Sequence, residues 1–203
     1  VKNRSQVFGY YDHNMLVMTE RVSDHLPKTD KYTPKQRLWY IRAKEVVISS
    51  GSIERPLVFG NNDTPGVMLS SAAKEYLKVY GVLVGKKPII FTNNDSGYET
   101  AIEFKKNAVD PIVLDTRKDT NSEIVKEAKE LNIHIKFSHV VVAAKGYKKV
   151  NSADIAKISD DKKVISNIEN VKCDCICVSG FWTPTIHLAS QSGNKTKFKE
   201  EID

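Results

Sequence analysis

Residues 89–101 read IIFTNNDSGYETA. The apolar run Ile89-Ile90-Phe91 stops on small polar residues, and a segment with helical spacing follows at once. Such a run predicts a parallel strand over 88–91, because strands covered on both faces read as unbroken apolar stretches. A helix is expected over 96–106, and a second strand over 109–115 that ends in an acid. Strand, turn, helix and strand in that order make the first half of a dinucleotide-binding fold. The turn between the first strand and the helix is where glycine backbone would lie bare against a pyrophosphate. Here positions 92, 93 and 94 are Thr, Asn and Asn. Asparagine tolerates left-handed backbone angles, so a tight turn can survive, but its side chain crowds a phosphate. Asp115 lies about 20 residues on, where a ribose-binding acid is expected. These residues read as a nucleotide-type unit whose phosphate site is eroded.

Working outward, the chain alternates strands and helices. Strands are expected over 6–11 and 15–21, on either side of an Asp12-His13-Asn14 turn. A third is expected over 37–42. The stretch 45–49, Glu45-Val46-Val47-Ile48-Ser49, is short and β-branched, and it runs into Ser50-Gly51-Ser52. It reads as a central parallel strand whose small end lets a backbone or a ligand come close. Residues 23–35 are polar, carry two prolines and read as loop. An amphipathic helix is expected over 70–80, with Ala72, Ala73, Tyr76, Leu77 and Tyr80 on one face. Further on, 122–132 reads as helix, and 133–137 and 139–144 as strands. Outer strands of a meander are expected over 148–158 and 162–171. A last buried strand is expected over 176–178, ending at Ser179-Gly180. The fold class is α/β.

Composition agrees with a folded domain. Of 203 residues, 40% are hydrophobic and 28% charged, a globular balance. The formal net charge of +6 comes from lysines scattered along the chain. That pattern argues against a nucleic-acid partner and fits an anionic cofactor or an acidic subunit. No apolar run approaches the roughly 18 residues of a membrane span. The three cysteines fall in VKCDCICVSG, residues 171–180, at every second position. Alternation predicts all three on one face of a strand. They lack the C-x2-C pairs of a zinc site, so they read as buried core thiols of a reducing, cytoplasmic compartment. No metal site and no Ser-His-Asp or Cys-His arrangement is evident. His13 reads as part of a hairpin turn, and His187 carries no assignable role. Tyr10, Tyr11, Trp39 and Tyr40 form an expected aromatic cluster.

Several motifs together carry a resemblance. NNDSGYETA, residues 93–101, resembles the helix-opening GGGDSAxEEA pattern of pyridine-nucleotide-disulfide oxidoreductases, with the glycines lost. VVISSGSIERP, residues 46–56, resembles the ATGAxxRP segment that closes the first dinucleotide domain of the same superfamily. Five segments in order, FGYYDHN (8–14), QRLWYIRAK (36–44), SSGSIERPLVFGNNDTPGVM (49–68), FTNNDSGYETA (91–101) and SGFWTPTIHLASQSGNK (179–195), resemble the alpha subunits of heterotetrameric sarcosine oxidase. The resemblance implies a Rossmann-like architecture with two dinucleotide-binding domains. Residues 1–64 are expected to be the rear of the first domain, 65–180 an inserted second domain, and 181–203 a return segment toward the first. The chain then reads as an internal fragment of a longer subunit.

That resemblance implies NAD in the intact alpha subunit, with FAD and FMN associated with the beta subunit and its interface. Partners would be the beta, gamma and delta subunits. The reaction would be oxidative demethylation of sarcosine to glycine, with formaldehyde or methylene-tetrahydrofolate and hydrogen peroxide as further products. The expected dinucleotide contacts are Ser50, Gly51, Ser52 and Arg55. Arg55 would offer a fixed charge near phosphate, or pair with Glu54 or an aspartate of the following turn. No catalytic residue is expected within the chain, and by itself it would be inactive and hold no cofactor. Two other readings stay open: a subunit-docking scaffold built on an eroded Rossmann unit, and a stand-alone NAD- or flavin-dependent reductase.

Overall fold

The computed structural model describes residues 1–193 and 195–197. In chain order its strands and helices are β1 (Ser5–Tyr11), β2 (Met15–Arg21), β3 (Gln36–Arg42), β4 (Ser52–Glu54), β5 (Val67–Leu69), α1 (Ser70–Tyr80), β6 (Pro88–Thr92), α2 (Ser96–Lys106), β7 (Ile112–Asp115), α3 (Glu123–Glu130), β8 (His134–Phe137), β9 (His139–Lys145), β10 (Ser152–Lys157), β11 (Glu169–Lys172), β12 (Cys175–Ser179), β13 (Trp182–Pro184) and α4 (His187–Gln191). The chain forms two compact units: Val1–Ile53 with Pro184–Asp203, and Glu54–Thr183.

The larger unit is built on a five-stranded sheet in the order β5-β12-β6-β7-β8. All four pairings are parallel. Every residue of β6 and of β12 is buried, as expected of strands with both faces covered. Side chains alternate across the sheet. Ile90, Val113, Cys175 and Cys177 face a core shared with Ala73 of α1, Tyr98, Ala101 and Phe104 of α2, and Val125 of α3. Ile89, Phe91, Leu114, Ile176 and Val178 face the opposite core, which Val141, Ala153 and Ile155 complete from the antiparallel sheet β11-β10-β9. The unit therefore has three layers: helices, parallel sheet and meander. Helix α1 ends as the sequence dictates. Gly81 takes φ +64, its N–H donates to Leu77 O, and Val82 N donates to Tyr76 O, the left-handed cap that glycine favours.

In the smaller unit β1, β2 and β3 form an antiparallel sheet, with an irregularity between Val7 and Gly9. Val17 and Met18 are its buried apolar side chains among the described residues.

Some expectations need correction. Residues 45–49 form no strand. A parallel strand exists only through its ladder, and no described residue pairs with this stretch; Val47 is 91% exposed. The outer strands of the meander shrink to β10 and β11: exposed bends or turns at Tyr147-Lys148-Lys149 and Asp160-Asp161-Lys162 take their first residues, and residues 163–168 form only an isolated bridge, Val164 to Ile158. Strand β7 starts only at Ile112, since Val109 N still donates to Phe104 O behind α2. The three thiols are all buried but do not share a face. Cys175 and Cys177 lie in the helix-side core, whereas Cys173 lies in the meander-side core. The cause is Asp174, whose carboxylate accepts from Lys86 N and Lys87 N at 2.8 Å each, so that β12 begins only after it. The aromatic cluster is also absent. Tyr10 Oη donates to Asn14 Oδ1, Trp39 Nε1 donates to Glu20 Oε2, and Tyr40 is exposed.

Candidate functional site

The order β5-β12-β6-β7-β8 reverses direction between β6 and β12. In open α/β sheets the ligand crevice lies there, beyond the carboxyl ends of the strands. In register, Ser179 of β12 stands beside Thr92 of β6. The turn that follows Thr92 is filled by its own side chains. Thr92 Oγ1 donates to Asn94 O at 2.8 Å and accepts from Asn94 N at 3.2 Å. Asn94 Oδ1 accepts from Ser96 N at 2.9 Å, capping the first turn of α2. Asn94 Nδ2 donates to Ser179 O at 3.3 Å and to Gly180 O. Trp182 Nε1 donates to Ser96 Oγ at 2.8 Å. The backbone did not need the left-handed angles that asparagine permits, for none of residues 92–97 has a positive φ.

Gly97 is a residue that sequence reasoning missed. Positions 92, 94 and 97 follow the G-x-G-x-x-G spacing, and glycine survives at the third. A Cβ on Gly97 would lie 2.6 Å from Thr92 Cβ, so glycine lets α2 pack closely on β6. The spacing alone was signal enough to find it.

Asp115 is fully buried at the end of β7. Its Oδ1 accepts from Arg117 N at 2.9 Å and from Arg117 Nε at 3.1 Å. Its Oδ2 accepts from Tyr98 Oη at 2.7 Å and from Arg117 Nη2 at 2.8 Å. Those four donors match the roughly four acceptor sites of a carboxylate, leaving none for a ribose hydroxyl. Arg117 Nη1 also donates to Asp95 Oδ1 at 2.8 Å. Burial works against the charge of Arg117, but its bonds to Asp115 and Asp95 outweigh that and hold it above the usual arginine range. Burial first, and then Asp115, push the Tyr98 phenol above its ordinary value.

Of the dinucleotide contacts expected from the sequence, Ser50, Gly51 and Ser52 belong to the smaller unit and Arg55 to the larger. Ser50 Oγ donates to Thr185 O at 2.6 Å. Gly51 has φ +66, and its carbonyl accepts from Thr185 N at 2.9 Å. Ser50 lines a groove of about 470 Å³ in the smaller unit, with Val7, Leu16, Val46, Val47 and Leu188. Ser52 opens β4 and is exposed. Arg55 lies in the larger unit, where its backbone N–H donates to Phe181 O at 2.7 Å. Its side chain makes no ion pair among the described residues, so the expected link to Glu54 or an aspartate does not form. Glu54 is buried and accepts from Ser71 N at 2.9 Å and Ser71 Oγ at 2.6 Å. His13 stands within its turn at φ +58.

A dinucleotide does not fit the turn after β6 as these residues stand. The amide of Asn94 lies where a pyrophosphate would need bare backbone, and Asp115 is saturated. The groove beside Ser50 mixes apolar side chains with Ser5, Gln6, Tyr10 and Ser49 and has no charged group in its lining. Among the described residues no group of three or more His, Cys, Asp or Glu could hold a metal, and no helix is long and apolar enough to cross a membrane.

No protein-family model matches the chain. In sequence it is 34% identical over 199 residues to the sarcosine oxidase subunit alpha of Rhizobium meliloti (strain 1021), covering 98% of this chain and 19% of that subunit. It is 32% identical over 202 residues to the same subunit of Corynebacterium sp. (strain P-1), covering 98% of this chain and 21% of that one. The chain thus spans about a fifth of the length of the curated relatives it matches. In structure it is similar to T. acidophilum thioredoxin reductase, with a TM-score of 0.68 at 14% identity over 95% of this chain and 57% of that one. L-proline dehydrogenase from P. horikoshii gives a TM-score of 0.57 at 21% identity, over 96% of this chain and 31% of the other. These likenesses assign the fold, a Rossmann-like α/β architecture.

Proposed function

We propose that the chain is part of an alpha subunit of the sarcosine oxidase family, whose curated members it resembles over about a fifth of their length, and that it serves an oxidoreductase as a dinucleotide-type portion of that subunit. The supporting observation is sequence identity of 34% that runs over 98% of the chain. The reaction in this reading is oxidation of the N-methyl group of sarcosine by dioxygen, giving glycine, a one-carbon unit and hydrogen peroxide, the two-electron reduction product of the oxidant. NAD belongs to the intact alpha subunit, and FAD and FMN to the beta subunit and its interface. Partners are the beta, gamma and delta subunits. Within this chain Ser50, Gly51, Ser52 and Arg55 remain the candidates for dinucleotide contact, and no residue is assigned a catalytic role.

The division of labour follows from what the larger unit has and lacks. It has the sheet and helices of a nucleotide domain, but its phosphate turn is closed and its acid engaged. A stand-alone reductase needs that turn open. A scaffold that docks neighbouring subunits does not, and the closed turn favours that role for the larger unit. The test is sarcosine-dependent hydrogen peroxide formation. The alpha subunit containing this chain, co-expressed with its partner subunits, is expected to form peroxide, and the chain alone is expected to form none. Turnover by the chain alone, or none by the assembled enzyme, would overturn the proposal.

A further inference from the structure

The crevice at the switch point between β6 and β12 already has an occupant. Residues 179–182 run through it on their way out of the larger unit. On one side the backbone of Arg55 grips them: Gly180 N donates to Arg55 O at 2.7 Å, and Arg55 N donates to Phe181 O at 2.7 Å. Contact there is close, since a Cβ on Gly180 would sit 2.5 Å from Arg55 O. On the other side the turn grips them. Asn94 Nδ2 donates to the carbonyls of Ser179 and Gly180, Asn93 N donates to Ser179 O at 3.4 Å, and Trp182 Nε1 donates to Ser96 Oγ at 2.8 Å. In a nucleotide-binding turn the donors aim at an oxyanion. Here the added amide of Asn94 aims at peptide carbonyls, while its oxygen takes the free N–H of Ser96. Each half of the side chain thus replaces one half of a ligand contact.

We propose that the turn after β6 binds the chain's own residues 179–182 in place of a nucleotide, with Asn94 as the positioning residue. The site is an internal anchor that fixes the segment by which the chain leaves this unit. It also excludes NAD and NADP from the turn. This inference rests on the geometry of the larger unit alone and holds whatever reaction the assembled enzyme performs.

Asn94→Asp separates the two roles of the side chain. The aspartate keeps an acceptor for Ser96 N and adds a charge that suits a helix N-terminus, so α2 stays capped. It loses the donor and sets a carboxylate against two carbonyls. Amide exchange at Gly180 and Arg55 is expected to quicken by about five-fold, the factor given by loss of one ordinary hydrogen bond. Exchange at Val113 and Ile155, deep in the two cores, is expected to stay unchanged. Chymotrypsin is expected to cut faster after Phe181 or Trp182. Ser96→Ala, which removes the acceptor of Trp182, is expected to quicken the same cleavage by a smaller factor, and it supplies the readout should the aspartate variant fold poorly. NAD or NADP at about 1 mM, the top of the usual KM range, is expected to leave exchange at residues 92–97 and 115–117 of the unaltered protein unchanged. Protection elsewhere in the chain would bear on the proposed function and not on this anchor. Unaltered exchange and cleavage around residues 180–182 in both variants, or nucleotide protection of residues 92–97, would overturn the inference.

Discussion

Asp115 shows how far one residue can be read from sequence. Its place at the end of β7 is evident from the pattern that precedes it, but its partners are not. Arg117 lies only two residues on, yet nothing in the order of letters says that its guanidinium turns back, or that Tyr98 of α2 reaches the same carboxylate. Gly97 was readable from spacing alone. Cys173 was not, because alternation assumes a strand that has already begun, and Asp174 delays it. Arg117→Ala leaves a fully buried carboxylate with Tyr98 as its remaining side-chain donor. Such a loss costs about 3–5 kcal/mol, and Arg117→Lys is expected to recover only part, since an ammonium cannot copy the fork. Urea midpoints of the three proteins measure this, and equal midpoints for Ala and wild type would refute it. Cys173 supports a second prediction. Burial, then Cys175 and Asp174, push its thiol up to about 12 from 9.0. The folded state therefore holds a proton that the unfolded state releases first. The contribution of Cys173 to stability is complete below pH 9 and falls away between pH 9 and pH 12. Melting temperatures of wild type and Cys173→Ala, compared across that window, are expected to converge as the pH rises; a constant difference would count against it.

At the scale of elements, the sequence is most informative where structure is local. The bounds of α1 and α2 were readable because helical spacing lies within a few residues, and α1 also carries a glycine stop at Gly81. Residues 45–49 misled because a β-branched run specifies a strand only when a neighbour is there to pair with it. The cap of α1 is a mixed case. Its N-cap position, Leu69, offers no side-chain oxygen, and its first turn has no acid. Glu54, 17 residues upstream, takes Ser71 N and Oγ instead. No local capping pattern can show a cap that arrives from another part of the chain. Glu54→Ala is expected to destabilise the larger unit by about 1–2 kcal/mol, the ordinary worth of a cap reinforced by charge at a helix N-terminus. Glu54→Gln keeps an acceptor and is expected to cost less. Thermal melts rank the pair, and amide exchange at Ser71 and Ala72 shows whether the loss starts at the helix end. Equal effects for both variants would mean that the site needs the charge and not the acceptor.

At the scale of the whole molecule, the two units differ in how much they bury. The larger carries two cores, one on each face of a sheet whose central strands are wholly buried. The smaller buries Val17 and Met18 among its described apolar side chains, and its stretch 45–49 has no ladder. Apolar burial contributes about 25 cal/mol per Å², so local stability should follow this division. Amides with ladder partners in a core open only with the unit, whereas unpaired and exposed amides exchange through small fluctuations. Native-state hydrogen exchange is therefore expected to show two tiers. Ile89, Ile90 and Phe91 should exchange at the slowest, global rate, and β1–β3 should exchange faster than β6 and β12. Val46, Val47 and Ile48 should exchange close to the rate of an unstructured chain. Light scattering belongs with this experiment, because a second copy could supply Val46–Ile48 with a strand partner through its unpaired backbone. Equal slow exchange at Val46–Ile48 and Ile89–Phe91 in a proven monomer would sink the prediction. Slow exchange at Val46–Ile48 that appears only as the protein self-associates would instead identify this stretch as a sheet edge waiting for a partner.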